Sequence, residues 1–355
     1  MKLGLGLYGN MLTTDNFRFA KQAGASHIVA HIVGNFNRPQ QRTTAGGAHG
    51  FGLSDPEDHI WSAQGMRELA DAVRAEGLQL EAIENFEPAH WYDILLDGPQ
   101  RARQIAHVQQ IIRNVGAAGI PVFGYNFSIA GVWGRVEVPA ARGGALSVGY
   151  HDPEQPPIPA GMVWNMVYDQ DAFAPDGSRG VIAPFSHEEL WRRFEAFLHD
   201  VLPVAEEAGV RLALHPDDPP LPTLRGTPRL VYRSDLYQRV LDINSSRANG
   251  MEFCVGTLAE MNDGSDIYEV VDQYSKTGRI CYVHFRNVRG KVPFYDEMFV
   301  DDGDVNMAEV MRILKRNDYD GVVIPDHTPA MSCAAPWHAG KAYALGWMRA
   351  TLALI

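Results

Sequence analysis

At 355 residues with 46% apolar content, the chain can bury a large core in one big domain or two ordinary ones. Its formal charge of −12, 43 acidic against 31 basic residues with no long basic run, argues against nucleic acid or an anionic membrane surface as main partner. No apolar run approaches the roughly 20 residues of a membrane span. Three cysteines are too sparse and odd a set for a disulfide framework, so a reduced, cytoplasmic enzyme acting on a small molecule is expected.

The N-terminal segment MKLGLGLYGN lacks a signal peptide's apolar centre and cleavage site, and residues 3–8 read as a strand. Further short apolar strands are expected at 27–31, 80–84, 122–126, 211–215, 251–255, 281–285 and 322–326. Between them lie amphipathic patterns such as GMRELADAVRAEG, QRARQIAHVQQIIRNVGAAG, SHEELWRRFEAFLHDVLPVAEEAG and NMAEVMRILKRNDYDG. Ser186 with Glu189 three residues on forms a capping pair, and Gly77, Gly119 and Gly209 stand where helices should stop. Eight strand–helix units predict an α/β protein with a single (β/α)8 TIM barrel over residues 1–355. A doubly wound sheet is the structural alternative, but no G-x-G-x-x-G follows the first strand and opens a helix. Residues 128–185 break the pattern, being rich in Gly and Pro with little periodicity. So long a connection is expected to be an active-site lid after the fourth strand, ordered by Trp133, Tyr150, Trp164 and Tyr168.

The ends of the last four strands read ALHPDD, EFCVGT, YVHFRN and IPDHTP, each delivering one metal-ligand type: His215, Cys254, His284 and Asp326. Alone, any of them reads as structural; at equivalent positions on successive barrel strands they would converge on one mouth. Two imidazoles, a thiolate and a carboxylate suit a divalent transition metal, Zn²⁺ or Fe²⁺ by softness. Pro216, Pro219 and Pro220 stiffen the loop behind His215, where Asp217 and Asp218 either orient His215, bind substrate hydroxyls or form a solvated turn. Glu84 ends the third strand, where a carboxylate needs a partner, and a polar role facing the mouth is expected.

In order along the chain, LHPDDPP, TPRLV, FCVGTLAEM, YVHFRNVRG, GDVNMAEV and PDH resemble the D-mannonate dehydratase family. Upstream, KQAGASHIVAH, EAIENF and AAGIPVFGYNF with Trp133 and Arg135 extend the likeness over most of the chain. The resemblance implies a metal-dependent barrel similar to the xylose-isomerase group, converting D-mannonate or a related aldonate to 2-keto-3-deoxy-D-gluconate and water. It implies Mn²⁺ on His215, Cys254, His284 and Asp326, a catalytic role for His327, a small sugar acid as partner, and a homo-oligomer. The chain departs from the family pattern at Ile324 (usually arginine), Thr328 (usually glycine), Phe299–Val300 (usually histidine-leucine) and in PWHAGKAY, where a proline-glycine-tyrosine normally supplies a catalytic hydroxyl. His338 or Tyr343 is the expected replacement. Arg286 would clamp a substrate carboxylate or form a surface salt bridge, and Arg135 is a second cation on the lid. A sugar isomerase or epimerase without loss of water, and a non-catalytic barrel binding a metal and a sugar acid, are the alternative functions.

Overall fold

Strands buried on both faces must be covered by helices outside and close on themselves inside, and this chain does so. The computed structural model describes residues 1–34, 52–54 and 59–355. Its eight barrel strands are β1 (Lys2–Tyr8), β2 (His27–His31), β3 (Gln79–Glu84), β4 (Val122–Tyr125), β5 (Arg211–Leu214), β6 (Asn249–Cys254), β7 (Ile280–His284) and β8 (Val322–Ile324). They pair in parallel in simple sequence order, and β8 pairs with β1 to close the barrel, which excludes the doubly wound alternative. Val29, Ala82, Val122, Ala213, Cys281, Tyr282, Val322 and Ile324 fill the interior, while a larger apolar layer separates the strands from the outer helices.

The helices stop and start where the sequence chemistry demands. Ser62 and Ser186 cap the helices Ala63–Ala75 and His187–Ala208, accepting from Gly65 N and Glu189 N at 3.0 and 3.1 Å. Gly209 takes φ +68° after the latter, the left-handed turn that a side chain would resist.

The segment 128–185 holds more regular structure than its composition suggests. Arg135–Ala141 and Ala145–His151 pair antiparallel, and the second of these joins Phe294–Met298, which in turn pairs with Asn287–Lys291. This four-stranded sheet ties the segment 128–185 to a hairpin that follows β7, at the mouth of the barrel. The aromatics order the rest: Tyr168 stacks on Tyr92 at 3.9 Å, and Arg225 lies over Trp133 at 4.0 Å while donating to the Pro156 and Pro157 carbonyls.

Candidate active site

Four strand ends build one cluster. His215 directly follows β5; its N–H still donates to Tyr125 O at 2.9 Å, and its Nδ1 lies 2.5 Å from Pro216 O, so Nε2 faces the mouth. Cys254 ends β6 and caps the next helix, with the Thr257 N–H and hydroxyl donating to its Sγ at 3.4 and 3.1 Å. His284 ends β7. Ligand atoms of His215, Cys254 and His284 all lie within 4.8 Å of one another. Asp326, two residues past β8, brings Oδ1 to 3.6 Å from His284 Nδ1, and buried Lys341 grips its backbone carbonyl and that of Pro325.

The two nitrogens of His284 have different surroundings. Nε2 is 3.1 Å from Glu252 and 3.3 Å from Glu84, two buried carboxylates below the cluster. Nδ1 is buried and makes no hydrogen bond, so it is the nitrogen available to a ligand. Burial works against ionisation of Glu84, yet His31 and His284 outweigh it and hold the carboxyl at about 2. Glu252 goes the other way: burial, with Glu84's charge beside it, pushes it up to about 8. Burial also opposes a Cys254 thiolate, but Arg286 and the two histidines overcome it and bring the thiol down to about 5. A thiolate formed near neutral pH, two imidazoles, a carboxylate and an orphaned buried Nδ1 fit a divalent transition metal with the ligands His215, Cys254, His284 and Asp326.

Beside this cluster lies a buried network centred on Arg286. Its Nη2 contacts Glu260 at 2.9 Å, Asp218 at 3.1 Å, Thr257 Oγ1 at 3.1 Å and Cys254 Sγ at 3.8 Å, while Nη1 pairs closely with Glu297. The side chain is fully buried, so it is no surface salt bridge. With both terminal nitrogens engaged, it is also not a free clamp for a substrate carboxylate; it gathers Glu260, Asp218, Glu297, the thiol and, at 3.7 Å from its Nε, Asp326. Asp217 and Asp218 are likewise no solvated turn, being 5% and 4% exposed. Asp217 pairs with Arg229 at 2.8 Å and accepts from the Leu230 and Val231 N–H groups; Asp218 accepts from Arg135 at 2.6 Å and Tyr295 at 2.8 Å. Neither hydrogen-bonds His215, whose Nδ1 is taken by Pro216. Arg135 reaches in from the four-stranded sheet, also standing 3.5 Å from Glu297. Glu84 lies beneath the histidines rather than open to a substrate, which corrects the expectation of a binding role at the mouth.

His327 stands at the rim, its side chain 25% exposed and therefore reachable, with Nδ1 2.9 Å from Glu297 Oε1 and Nε2 3.5 Å from Asp326 Oδ1. The two expected replacements for the family's hydroxyl are not brought to it. His338 pairs with Asn16 at 2.9 Å and packs on Phe19 and Trp337, while Tyr343 hydrogen-bonds Asp301 at 2.6 Å and Arg142 at 3.2 Å. Both lie on the helix Pro336–Leu354, whose first turns point them to partners outside the network. Glu252, Glu260, Glu297, His31 and Lys341 also build the site, though no sequence motif singles them out. Of these, only Glu252 announces itself, as a carboxylate inside an apolar strand where burial needs a partner.

The sequence profile of the D-mannonate dehydratase (UxuA) family matches residues 1–166 and 180–346. A mannonate dehydratase of Streptococcus pneumoniae (strain 70585) is 32% identical over 280 residues, covering 77% of this chain and 75% of the relative. One from Geobacillus thermodenitrificans (strain NG80-2) is 30% identical over 288 residues, covering 77% and 76%. The crystal structure of mannonate dehydratase from Streptococcus suis serotype 2 superposes with TM-score 0.76 at 27% identity, over 100% of this chain and 93% of that one. A D-tagatose 3-epimerase-like protein, TM-score 0.58 at 14% identity over 100% and 98% of the two chains, shares the fold alone.

Proposed function

Because the chain belongs to the D-mannonate dehydratase family of hydro-lyases, we propose that it removes water from D-mannonate or a closely related aldonate, giving 2-keto-3-deoxy-D-gluconate, with a divalent metal at His215, Cys254, His284 and Asp326. The observation that carries the reading is the juxtaposition of His327 with that ligand set: its Nε2 is 3.5 Å from a carboxylate oxygen of Asp326. Mn²⁺ is the cation that the family resemblance suggests, with Fe²⁺ and Zn²⁺ compatible with the donors. When bound, the cation supplies Lewis-acid polarisation of a substrate carboxylate and its neighbouring hydroxyl.

The protein's own groups supply the rest. Dehydration takes a proton from the carbon α to the carboxylate and expels the adjacent hydroxyl, which leaves as water on receiving a proton; the resulting enol becomes the 2-keto-3-deoxy acid. His327 is reachable at the rim and oriented on its inner side by Glu297, so its Nε2 can exchange a proton with a substrate lying over the cluster. Glu84 and Glu252 hold the His284 ring from its Nε2 side, leaving Nδ1 without a hydrogen-bond partner toward the cluster. Arg286 keeps the Cys254 thiol ionised and the carboxylates around it together.

His327→Asn tests the assignment. It should keep the metal and the fold and lose turnover by about 10²–10⁴-fold. Wild-type turnover in that variant would remove His327 from the mechanism while leaving the reaction in place.

A further inference from the structure

We propose that Glu297 is the residue that positions His327, fixing it as the Nδ1–H tautomer so that Nε2 carries the lone pair facing the metal cluster. The inference deepens the dehydratase reading and rests on it for the consequence to catalysis, but the tautomer itself is a property of the free protein.

The argument starts from which atom can donate. His327 Nδ1 has two polar neighbours, Glu297 Oε1 at 2.9 Å and Arg286 Nη1 at 3.2 Å. A guanidinium has only protons to give and an ionised carboxylate has only lone pairs, so the two neighbours ask opposite things of Nδ1. Arg286 Nη1 already donates to the same Oε1, in a shorter contact than either. A bare Nδ1 would set its lone pair against the carboxylate oxygen at 2.9 Å with no proton between them. A protonated Nδ1 completes Glu297, whose Oε1 then accepts from both the imidazole and the guanidinium. Glu297 is 2% exposed and stands 3.5 Å from Arg135 as well, so its carboxylate is shielded from bulk solvent and flanked by two guanidinium groups. Nε2 also has a carboxylate neighbour, Asp326 Oδ1, but at 3.5 Å it is longer than a hydrogen bond and competes for the proton less than Glu297 at 2.9 Å. With Nδ1 protonated, Nε2 of the neutral ring is therefore the acceptor. This is the orientation logic of a base held by a buried carboxylate, in which the carboxylate sets the tautomer and stays ionised.

The fold explains why this carboxylate is here. Glu297 lies on Phe294–Met298, paired at Phe294, Tyr295 and Asp296 with His151, Tyr150 and Gly149 of the segment 128–185. Side chains two apart share a face, so Tyr295 and Glu297 both point at the site, and the Tyr295 hydroxyl reaches Asp218 at 2.8 Å. One strand further on, Arg135 pairs in register with Tyr150 and reaches both Asp218 and Glu297. A single sheet thus delivers the positioning carboxylate and its cation together.

Nitrogen-15 labelling of histidine, with long-range proton–nitrogen correlation in metal-free and Zn²⁺-loaded protein, reads the tautomer directly; His327→Gln assigns the signal. Wild type should show protonated Nδ1. Glu297→Met, which removes the acceptor beside Nδ1 and leaves the Arg286 guanidinium at 3.2 Å as a donor to it, should shift His327 toward the Nε2–H form. It should also lower kcat by about 10–100-fold with little change in KM, the usual effect of removing an orienting partner. A wild-type Nε2–H tautomer, or a Glu297→Met variant with wild-type tautomer and kcat, would overturn the proposal. Should no aldonate lose water, the dehydratase reading fails, and the tautomer of the wild-type ring still decides this one.

Discussion

Replacing Arg286 with Met keeps most of the side chain's volume and removes one positive charge from the interior. Removing one partner of a buried ion pair costs about 3–5 kcal/mol, because the charge left behind has lost its compensation. Here Asp218 keeps Arg135 at 2.6 Å, Glu297 keeps His327 at 2.9 Å, and burial already pushes the Glu260 carboxyl up toward its neutral form, which places the expected loss at the lower end, about 3 kcal/mol at neutral pH. The pH dependence follows from the carboxyls. Burial raises Glu297 and Asp218, but their cations outweigh it and hold both below the usual carboxylate range. A depressed folded-state value means stability that is present above the ordinary carboxylate pKa, near 4, and is lost as pH falls through the folded one. Arg286→Met removes part of that stability, so its cost should be largest near pH 7 and should shrink below about pH 4, once the unfolded chain binds the protons anyway. Equilibrium denaturant unfolding at the two pH values measures this. The same variant should lose metal affinity near pH 6, since the Cys254 thiol would regain its proton more easily. Unfolding free energies within about 0.5 kcal/mol of wild type at both pH values would refute the idea that Arg286 neutralises this network.

Other expectations follow from the same geometry. Gly124→Ala would put a methyl group onto the Tyr282 hydroxyl and 2.6 Å from Glu252 Oε2, both fully buried, so thermal or denaturant unfolding should show a loss of about 1–3 kcal/mol. His284→Ala should lose most bound metal by elemental analysis while its circular dichroism stays native, because the apolar layer outside the strands is untouched. Limited proteolysis should nick the exposed run 169–181 before the paired strands 135–151, and a bound aldonate should slow it if the segment closes over substrate; cutting first within 135–151 would contradict the sheet.

The barrel is legible in the sequence because its signals are local. Apolar runs such as LALH and CYVH are strands buried on both faces, and the serine and glycine stops frame their helices within a residue or two. The cluster of His215, Cys254, His284 and Asp326, proposed as a metal site, is visible for a related reason: each of the four residues sits at or just past the C-terminal end of a barrel strand. The four-stranded sheet at the mouth is not, because Ala145–His151 finds its partner in Phe294–Met298, far along the chain, and glycines and prolines around it mask the alternation. Arg286 was ambiguous for the same reason, since its burial depends on Glu260, Glu297 and Asp218, which only the closed barrel and the hairpin bring together. His338 and Tyr343 were nominated by position in a motif, and a helix rotates neighbouring positions to different faces, here toward Asn16 and Asp301.

The central claim is dehydration of a sugar acid over the cluster at the strand ends. Mass spectrometry of Mn²⁺-loaded protein incubated with a panel of aldonates, D-mannonate among them, tests it most directly. The account predicts a product lighter by one water from at least one aldonate, abolished by chelation and by His284→Ala. A product of unchanged mass would mark an isomerase or epimerase instead, and ligand-dependent stabilisation with no product at all would mark a barrel that binds without turnover; either result contradicts the claim.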